Sequence, residues 1–159
     1  MLRFILVALT VVLFLILSIP LLLILLVVDH YDTKRRQRIS LKVIRGVFRL
    51  ILKIAGVRIT VEGRENIPQG QAVMYVGNHR GYFDILTGYV TVPDLMGFVA
   101  KKEMLRYPLL CTWMKYVNCL FLDRKNIKEG LKTILAAIAQ IKEGVSVWIF
   151  PEGTRNENG

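Results

Sequence analysis

The sequence is poor in cysteine and in acidic residues. Its 159 residues contain two cysteines, Cys111 and Cys119, and 12 acidic residues against 22 lysines and arginines. Two cysteines eight positions apart, without a CxxC pair, indicate neither a disulfide framework nor a zinc site, and they favour a reducing compartment. The composition, with 53% hydrophobic residues, also excludes intrinsic disorder.

Charged residues are absent from 25 consecutive positions, residues 4–28. A helix of this length exceeds the ~30 Å apolar core of a bilayer. A secretory signal peptide has a shorter apolar region and small residues at its cleavage site, whereas Asp29 and His30 follow here. Pro20 does not oppose the interpretation, because membrane helices tolerate proline. We therefore predict an uncleaved membrane anchor helix over residues 1–28.

The next segment, residues 29–56, carries more than half of the net charge of +10. Eight cations and two aspartates give it a net charge of +6, which places the carboxyl-terminal side of the anchor in the cytoplasm. Cations at positions 42, 45, 49 and 53 form one stripe of a helix whose other positions are mostly apolar. This pattern predicts an amphipathic helix at the membrane interface, with its cations among anionic headgroups. The alternative is a helix that packs on the domain core and leaves its charges in water.

The remaining residues alternate between strand and helix patterns. Strands are predicted at 57–62, 72–76, 95–100, 120–122 and 145–150, and helices at 83–90 and 128–142. We therefore predict that residues 57–159 form an α/β domain with a mixed, largely parallel sheet flanked by helices. Nucleic-acid binding is disfavoured, because residues 54–159 carry only +3 and the basic stripe has no interleaved aromatic residues.

A first polar cluster follows the strand predicted at 72–76 and contains Asn78, His79 and Asp84. Active sites of α/β sheets form beyond the carboxyl ends of strands. If His79 lies in the turn and Asp84 in the first helical turn, the carboxylate can hold one ring nitrogen and make the other more basic. Such a histidine can act as a general base on a hydroxyl group. The alternative is a capping interaction with a surface histidine.

Two further clusters, residues 118–124 and 149–155, each place an arginine beyond a predicted strand. The guanidinium groups of Arg124 and Arg155 are suited to bind a phosphate, and the amides of Gly153 and Thr154 can add donors. Glu152 would repel a phosphate, so we expect it to hold an arginine in place. Alternatively, each arginine is a solvated or ion-paired strand end.

Taken together, the three clusters resemble those of the membrane-bound glycerolipid acyltransferase family. The pattern Asn-His-x4-Asp matches residues 78–84, and the two other blocks match residues 120–124 and 150–155, in the same order. Asn118 stands where the family usually has glycine. The family's fourth block, an apolar stretch with two prolines, is missing, so we expect the α/β domain to be incomplete at its carboxyl end.

The resemblance implies transfer of a fatty acyl group from acyl-CoA or acyl-carrier protein to lysophosphatidic acid, forming phosphatidic acid in phospholipid biosynthesis. In this scheme His79 is the general base, Asp84 orients it, and Asn78 supports the site. The acceptor phosphate is held by the residues of the two other clusters, namely Arg124, Glu152, Gly153, Thr154 and Arg155.

No metal or cofactor is implied, and the cysteines are packing residues. Expected partners are the acyl donor, the lysophospholipid acceptor and an anionic membrane surface on the cytoplasmic side of the cell membrane. Alternatives are another lysophospholipid acceptor or an inactive membrane-binding fragment.

Overall fold

The computed structural model describes residues 1–153, which form six α-helices and four β-strands. The elements in chain order are α1 (Leu2–Leu17), α2 (Ile19–Tyr31), α3 (Thr33–Ala55), β1 (Met74–Val76), α4 (Phe83–Thr91), β2 (Met96–Lys101), α5 (Pro108–Tyr116), β3 (Leu120–Leu122), α6 (Ile127–Lys142) and β4 (Ser146–Ile149).

The four strands form one sheet in the order β1-β4-β2-β3, and every strand pair is parallel. A helix connects each strand to the next along the chain: α4, α5 and α6 in turn. The predicted α/β fold with helices flanking a largely parallel sheet is confirmed, but the sheet is not mixed among the described strands, because each of their pairs is parallel. Four predicted strands are present, with ends shifted by at most two residues. Because the strands are parallel, all four carboxyl ends meet at one edge of the sheet.

The strand predicted at 57–62 is wrong. These residues have no strand structure, and the alternating side chains of Ile59 and Val61 are exposed. The segment follows Gly56, the C-cap of α3, which has a left-handed conformation. Alternation predicts a strand only where a partner edge is available, and residues 57–62 form no ladder with any strand described in residues 1–153.

The apolar segment forms two helices where the sequence predicted one. The helices α1 and α2 meet at Ser18 with a bend of 51°, and Pro20 lies in the first turn of α2, where it needs no backbone donor. The Ser18 hydroxyl accepts a hydrogen bond from Trp113 Nε1 at 2.9 Å, which ties the bend to α5. Within residues 1–153, neither helix alone has the length and apolarity of a membrane span, whereas the bent pair together has both.

The basic segment forms the long helix α3, which begins after the N-cap Asp32. Its apolar side is buried, including Leu41, Ile44 and Leu52, while Lys42 and Arg49 are exposed. This packing corresponds to the core-packed alternative for the helix. Its location at a membrane interface stays a prediction.

One hydrophobic core joins the apolar segment, the basic segment and the sheet. Leu25 of α2, Leu41 of α3, Tyr89 of α4 and Trp113 of α5 are buried together with Phe98 of β2. The three segments distinguished by composition are therefore parts of one packed unit.

Helix α6 contacts the sheet through small and polar residues. Thr133 donates a hydrogen bond to the backbone oxygen of Phe121, and Gln140 donates one to that of Ser146. The apolar row that predicted this helix is largely exposed, with exposed fractions between 46 and 57% for Leu131, Ile134, Leu135 and Ile138. The 3.6-residue period located the helix correctly but does not identify the side that packs on the sheet.

The turn before β3 explains why asparagine can replace the family's usual glycine at position 118. Asn118 has a φ of +63°, in the left-handed region where glycine is most at ease and asparagine is the next most tolerated residue. Its side-chain oxygen accepts a hydrogen bond from Gln37 Nε2 at 2.8 Å, which links the turn to α3. Asparagine therefore keeps the turn that the family's glycine would make.

Candidate active site

The loop between β1 and α4 places His79 at the carboxyl edge of the sheet. The loop begins at Gly77, whose amide donates to the backbone oxygen of Ile149 in the neighbouring strand β4. An added Cβ at Gly77 would lie 3.1 Å from Trp148 Nε1, so the close approach of the loop to β4 favours glycine here. The side chain of His79 is 19% exposed, which leaves it accessible from solvent.

The carboxylate of Asp84, in the first turn of α4, folds back onto the loop. Its Oδ2 atom lies 2.9 Å from His79 Nδ1, and it accepts hydrogen bonds from the amides of Arg80 at 2.7 Å and Gly81 at 2.8 Å. The structure therefore brings together the two residues that the sequence paired, in the turn-and-helix arrangement that we expected. Gly81 contributes its amide rather than a left-handed conformation.

Burial and hydrogen bonding act in opposite directions on Asp84. Burial alone would raise the pKa of this carboxyl, but the hydrogen bonds from the Gly81 amide, the His79 ring and the Arg80 amide outweigh it and lower the pKa below its ordinary value. The carboxylate is therefore ionised at neutral pH. An ionised acceptor at Nδ1 favours the tautomer with its proton on Nδ1, which leaves Nε2 with a free lone pair.

Two residues after β4 hold His79 from other directions. The ring of Phe150 stacks on the imidazole with a centroid distance of 4.3 Å and an interplanar angle of 15°. Glu152 Oε2 accepts a hydrogen bond from the His79 amide at 2.9 Å. Glu152, which we expected from the sequence to hold an arginine, thus contacts the backbone of the histidine loop. Neither contact has a signal in sequence spacing, because both depend on β1 and β4 being neighbours in the sheet.

Arg124 lies close to Gly153, which has a φ of +70°. A Cβ added at Gly153 would be 3.2 Å from one guanidinium nitrogen of Arg124, so the absence of a side chain lets the arginine lie against the backbone. The structure therefore brings the second and third sequence clusters together. Thr154 and Arg155 lie outside the described residues, and Asn78 is exposed beside His79.

An ion pair between the ends of two neighbouring strands supports the turn before Arg124. We did not predict this pair from the sequence. Lys102, just after β2, lies 2.9 Å from Asp123, just after the neighbouring strand β3. The hydrogen bond from Lys102 lowers the pKa of the Asp123 carboxyl, and a second bond from the Lys125 amide adds to this effect. The sequence does show a lysine and an aspartate directly after two predicted strands. It does not show that these strands are neighbours, which is what brings the two side chains together.

The cysteines have the environment of packing residues. Cys111 is buried, and the Cys119 sulfur lies 3.2 Å from the hydroxyl of the buried Tyr89. Burial raises the pKa of the Cys119 thiol above its ordinary value, which keeps it protonated and a weak nucleophile.

Comparison with known proteins identifies the family to which the chain belongs. Residues 58–159 match the family model described as Acyltransferase, and this range contains the His79 loop, Arg124 and Gly153. The chain belongs to the acyltransferase family. The resemblance found from the sequence clusters is thereby confirmed.

Curated relatives of this acyltransferase-family chain carry consistent names. It is 34% identical over 122 residues to "1-acyl-sn-glycerol-3-phosphate acyltransferase" of Borreliella burgdorferi, which covers 77% of this chain and 49% of the relative. It is 33% identical over 125 residues to "1-acyl-sn-glycerol-3-phosphate acyltransferase alpha" of Homo sapiens, which covers 76% and 43%, respectively. The chain thus spans about half the length of these relatives.

A solved structure shares the fold. The crystal structure of the 1-acyl-sn-glycerophosphate (LPA) acyltransferase PlsC from Thermotoga maritima superposes with a TM-score of 0.80 at 25% sequence identity. The match covers 99% of this acyltransferase-family chain and 62% of the PlsC chain. The N-terminal helices are therefore included in the similarity.

Proposed function

We propose that this protein transfers a fatty acyl group from acyl-CoA or acyl-carrier protein to the free hydroxyl of 1-acyl-sn-glycerol-3-phosphate. His79 Nε2 removes the hydroxyl proton as the oxygen attacks the thioester carbonyl. A new carbon–oxygen ester bond forms, the carbon–sulfur bond breaks, and the proton passes to the leaving thiolate. The products are phosphatidic acid and the free thiol of the donor. No acyl-enzyme is needed.

The observation that carries this proposal is the 2.9 Å contact between His79 Nδ1 and Asp84 Oδ2. The carboxylate fixes the ring orientation and stabilises the imidazolium that forms during proton transfer. Because Asp84 holds Nδ1, Nε2 is the ring nitrogen that we assign to the substrate hydroxyl. A positioned base of this kind typically contributes about 10²–10⁴-fold to the rate.

For the acceptor we propose a phosphate site formed by Arg124, Gly153, Thr154 and Arg155. Of these, Arg124 and Gly153 follow β3 and β4 at the same edge of the sheet as His79. The contact between Arg124 and Gly153 supports a shared site, because it places a guanidinium beside a backbone turn. A phosphate held there fixes the distance from the acceptor hydroxyl to the base. Glu152 has the separate task of holding the His79 loop through its bond to the backbone amide.

We also propose that α1 and α2 insert into the cell membrane and that the α/β domain lies on its cytoplasmic side. Support comes from the exposed apolar side chains of both helices, among them Phe4, Leu13, Leu23 and Leu26, and from the positive charge of α3. Flotation with vesicles tests insertion, and protease protection in oriented membranes tests sidedness. Digestion of the α/β domain only from the outer side would contradict this orientation.

The decisive experiment compares His79→Ala with His30→Ala, a change at the other histidine of the chain, which is exposed at the end of α2. Vesicles with each protein receive labelled acyl-CoA or acyl-carrier protein and lysophosphatidic acid, and phosphatidic acid is measured. We expect His79→Ala to lose about 10²-fold or more of the activity and His30→Ala to retain it, with equal membrane association. Turnover retained by His79→Ala, or no transfer from either donor by the unchanged protein, would disprove the proposal.

The acceptor is tested separately with Arg124→Gln, Arg155→Gln and the exposed control Arg58→Gln. If the phosphate is the part of the acceptor that the enzyme binds, KM for lysophosphatidic acid rises in the first two variants alone. An unchanged KM, with efficient acylation of a lysophospholipid that carries a larger headgroup, would instead favour another acceptor.

A further inference from the structure

A basic cavity lies at the other end of α4 from the candidate active site. It has a volume of about 450 Å³ and is open to solvent between α3 and the turn that joins α4 to β2. Its walls carry four cations, Arg38, Lys42, Arg45 and Arg49, against one carboxylate, Asp94. The volume is within the range of ligand sites in proteins. We refer to these five residues and the space between them as the basic cavity.

Arg45 forms the fixed wall of the basic cavity. Its guanidinium donates hydrogen bonds to the backbone oxygens of Tyr89 at 2.8 Å, Pro93 at 2.9 Å and Asp94 at 3.3 Å, and also to that of Val92. These carbonyls lie at the carboxyl end of α4, the negative end of its helix dipole. Arg45 is therefore occupied in joining α3 to α4 and is not free to bind a ligand.

The three other cations have no such partners. The side chains of Arg38, Lys42 and Arg49 are exposed and make no hydrogen bond or ion pair with any residue described in 1–153. No acidic residue occurs within α3, so the repulsion between cations three and four positions apart is not offset inside the helix. Burial is the main cause that lowers the pKa of Arg45, and the positive charge of Arg49 is the second cause. A bound anion would offset this repulsion.

The surroundings of the cavity indicate the kind of anion. Among the residues described in 1–153, the lining contains no aromatic side chain, whereas sites for single-stranded nucleic acid stack bases on aromatic rings. Helix α2, which packs against α3, exposes apolar side chains such as Leu23, Leu26 and Val27. Cations on a helix that packs against a helix with exposed apolar side chains match the combination of headgroups and acyl chains in a bilayer.

The cavity is separate from the proposed catalytic site. His79 precedes α4 at the carboxyl edge of the sheet, whereas Asp94 follows α4 and precedes β2. The nine residues of α4 span ~13 Å between them. A ligand in the cavity is therefore not the group held against His79.

The geometry points to the basic cavity as a binding site for the phosphate headgroup of an anionic membrane phospholipid, held by Arg38, Lys42 and Arg49. Such a lipid fixes the rotation of the domain on the bilayer about the inserted helix pair. The inference rests on the membrane association that is part of the proposed function, but not on acyl transfer.

The test measures flotation of the protein with vesicles of phosphatidylcholine alone, and of phosphatidylcholine mixed with phosphatidic acid or phosphatidylglycerol at equal surface charge. The cavity variant Arg38→Gln/Lys42→Gln/Arg49→Gln is compared with Lys115→Gln/Lys128→Gln/Lys142→Gln, which removes the same charge from exposed positions on α5 and α6. We expect the cavity variant to lose about fivefold in partition to anionic vesicles for each cation removed, and the control to lose much less. Binding to phosphatidylcholine alone stays equal in all three proteins.

Other outcomes would overturn the inference. Equal losses in the two variants would show that only net charge matters. Competition by millimolar inorganic phosphate, with a thermal shift in the unchanged protein and none in the cavity variant, would assign the cavity to a soluble phosphate instead. Tighter binding to a single-stranded oligonucleotide than to anionic vesicles would assign it to nucleic acid.

Acyl transfer in detergent separates this inference from the proposed function. The cavity variant keeps its activity there, because none of its changed residues belongs to the proposed catalytic site. Loss of activity in detergent without loss of vesicle binding would place these residues in catalysis and contradict the headgroup site. Absence of acyl transfer in the unchanged protein would leave the flotation result fully interpretable.

Discussion

The imidazole of His79 lies almost parallel to the ring of Phe150, with 4.3 Å between the ring centroids. The contact joins the loop after β1 to the residue that follows β4, and Phe150 in turn stacks on Phe98 of β2 at 5.6 Å. The proposed base is thus supported by an aromatic layer as well as by the Asp84 carboxylate. Asp84 fixes the ring at one nitrogen, and Phe150 restricts rotation of its plane.

Loss of this stack should reduce kcat more than it changes KM. Stacked aromatic pairs contribute about 0.5–1.5 kcal/mol, so Phe150→Leu should lower kcat by up to about tenfold, while Phe150→Tyr keeps the ring and most of the activity. Steady-state kinetics with acyl donor and lysophosphatidic acid measure both parameters. The control is Phe121→Leu on β3, and circular dichroism checks that each variant is folded. An equal loss in Phe150→Tyr and Phe150→Leu would show that stacking is not the cause.

The hydrogen bonds to Asp84 predict a specific dependence of stability on pH. Because its pKa is lowered in the folded protein, the ionised carboxylate stabilises the fold above its unfolded pKa of about 4, and this contribution is lost as the pH falls through the lower folded value. Asp84→Asn should therefore be less stable than the unchanged protein at neutral pH, and the difference should shrink below about pH 4. Urea unfolding in detergent between neutral and acidic pH measures this difference. The exposed control Glu62→Gln should show little change, and a gap that widens on acidification would contradict the sign.

The sequence predicted the contact between His79 and Asp84, but not the contacts that hold His79 from the other strands. The spacing of His79 and Asp84, with the turn between them, was sufficient to expect their contact, because both residues lie within one strand-to-helix connection. The contacts of His79 with Phe150 and Glu152 depend on β4 lying beside β1, and the pair of Lys102 with Asp123 depends on β3 lying beside β2. Strand order is a property of the whole sheet and has no local sequence signal.

The misinterpreted elements have related causes. Residues 57–62 alternate as a half-buried strand would, but alternation does not supply a partner edge. The uncharged run predicted one helix, and the bend at Ser18 involves Trp113, which lies 95 residues away in the chain. Periodicity reports local structure, whereas the first outcome depends on whether a partner edge is available and the second involves a contact with a residue distant in the chain.

The contact between Arg124 and Gly153 can be tested with two glycines in the same backbone conformation. Gly153 and Gly144 have φ values of +70° and +89°, so alanine at either position should cost about 1–2 kcal/mol through backbone strain. A Cβ at Gly153 would also meet the Arg124 guanidinium at 3.2 Å, whereas a Cβ at Gly144 would have no atom of the described part of the chain within 4 Å. We therefore expect KM for lysophosphatidic acid to rise severalfold in Gly153→Ala only. A similar rise in Gly144→Ala would assign the effect to strain rather than to the displaced arginine.

Gly97 of β2 packs directly against the backbone of the turn before β3. A Cβ at Gly97 would overlap the backbone carbonyl of Asn118 and lie 2.9 Å from the amide nitrogen of Cys119. Backbone atoms cannot move aside as a flexible side chain can, so β3 would have to shift away from β2. We expect Gly97→Ala to lower the free energy of unfolding by about 3 kcal/mol or more, the upper range for overpacked sites.

Gly46 provides the matched control for Gly97→Ala. It is exposed in the middle of α3, and within residues 1–153 no atom lies within 4 Å of an added Cβ. Gly46→Ala should therefore stabilise the protein by about 0.5–1 kcal/mol through helix propensity. Denaturant unfolding of both variants in the same detergent gives the two values with opposite signs. A Gly97→Ala variant as stable as the unchanged protein would mean that the turn at Asn118 can move away from β2 at little cost.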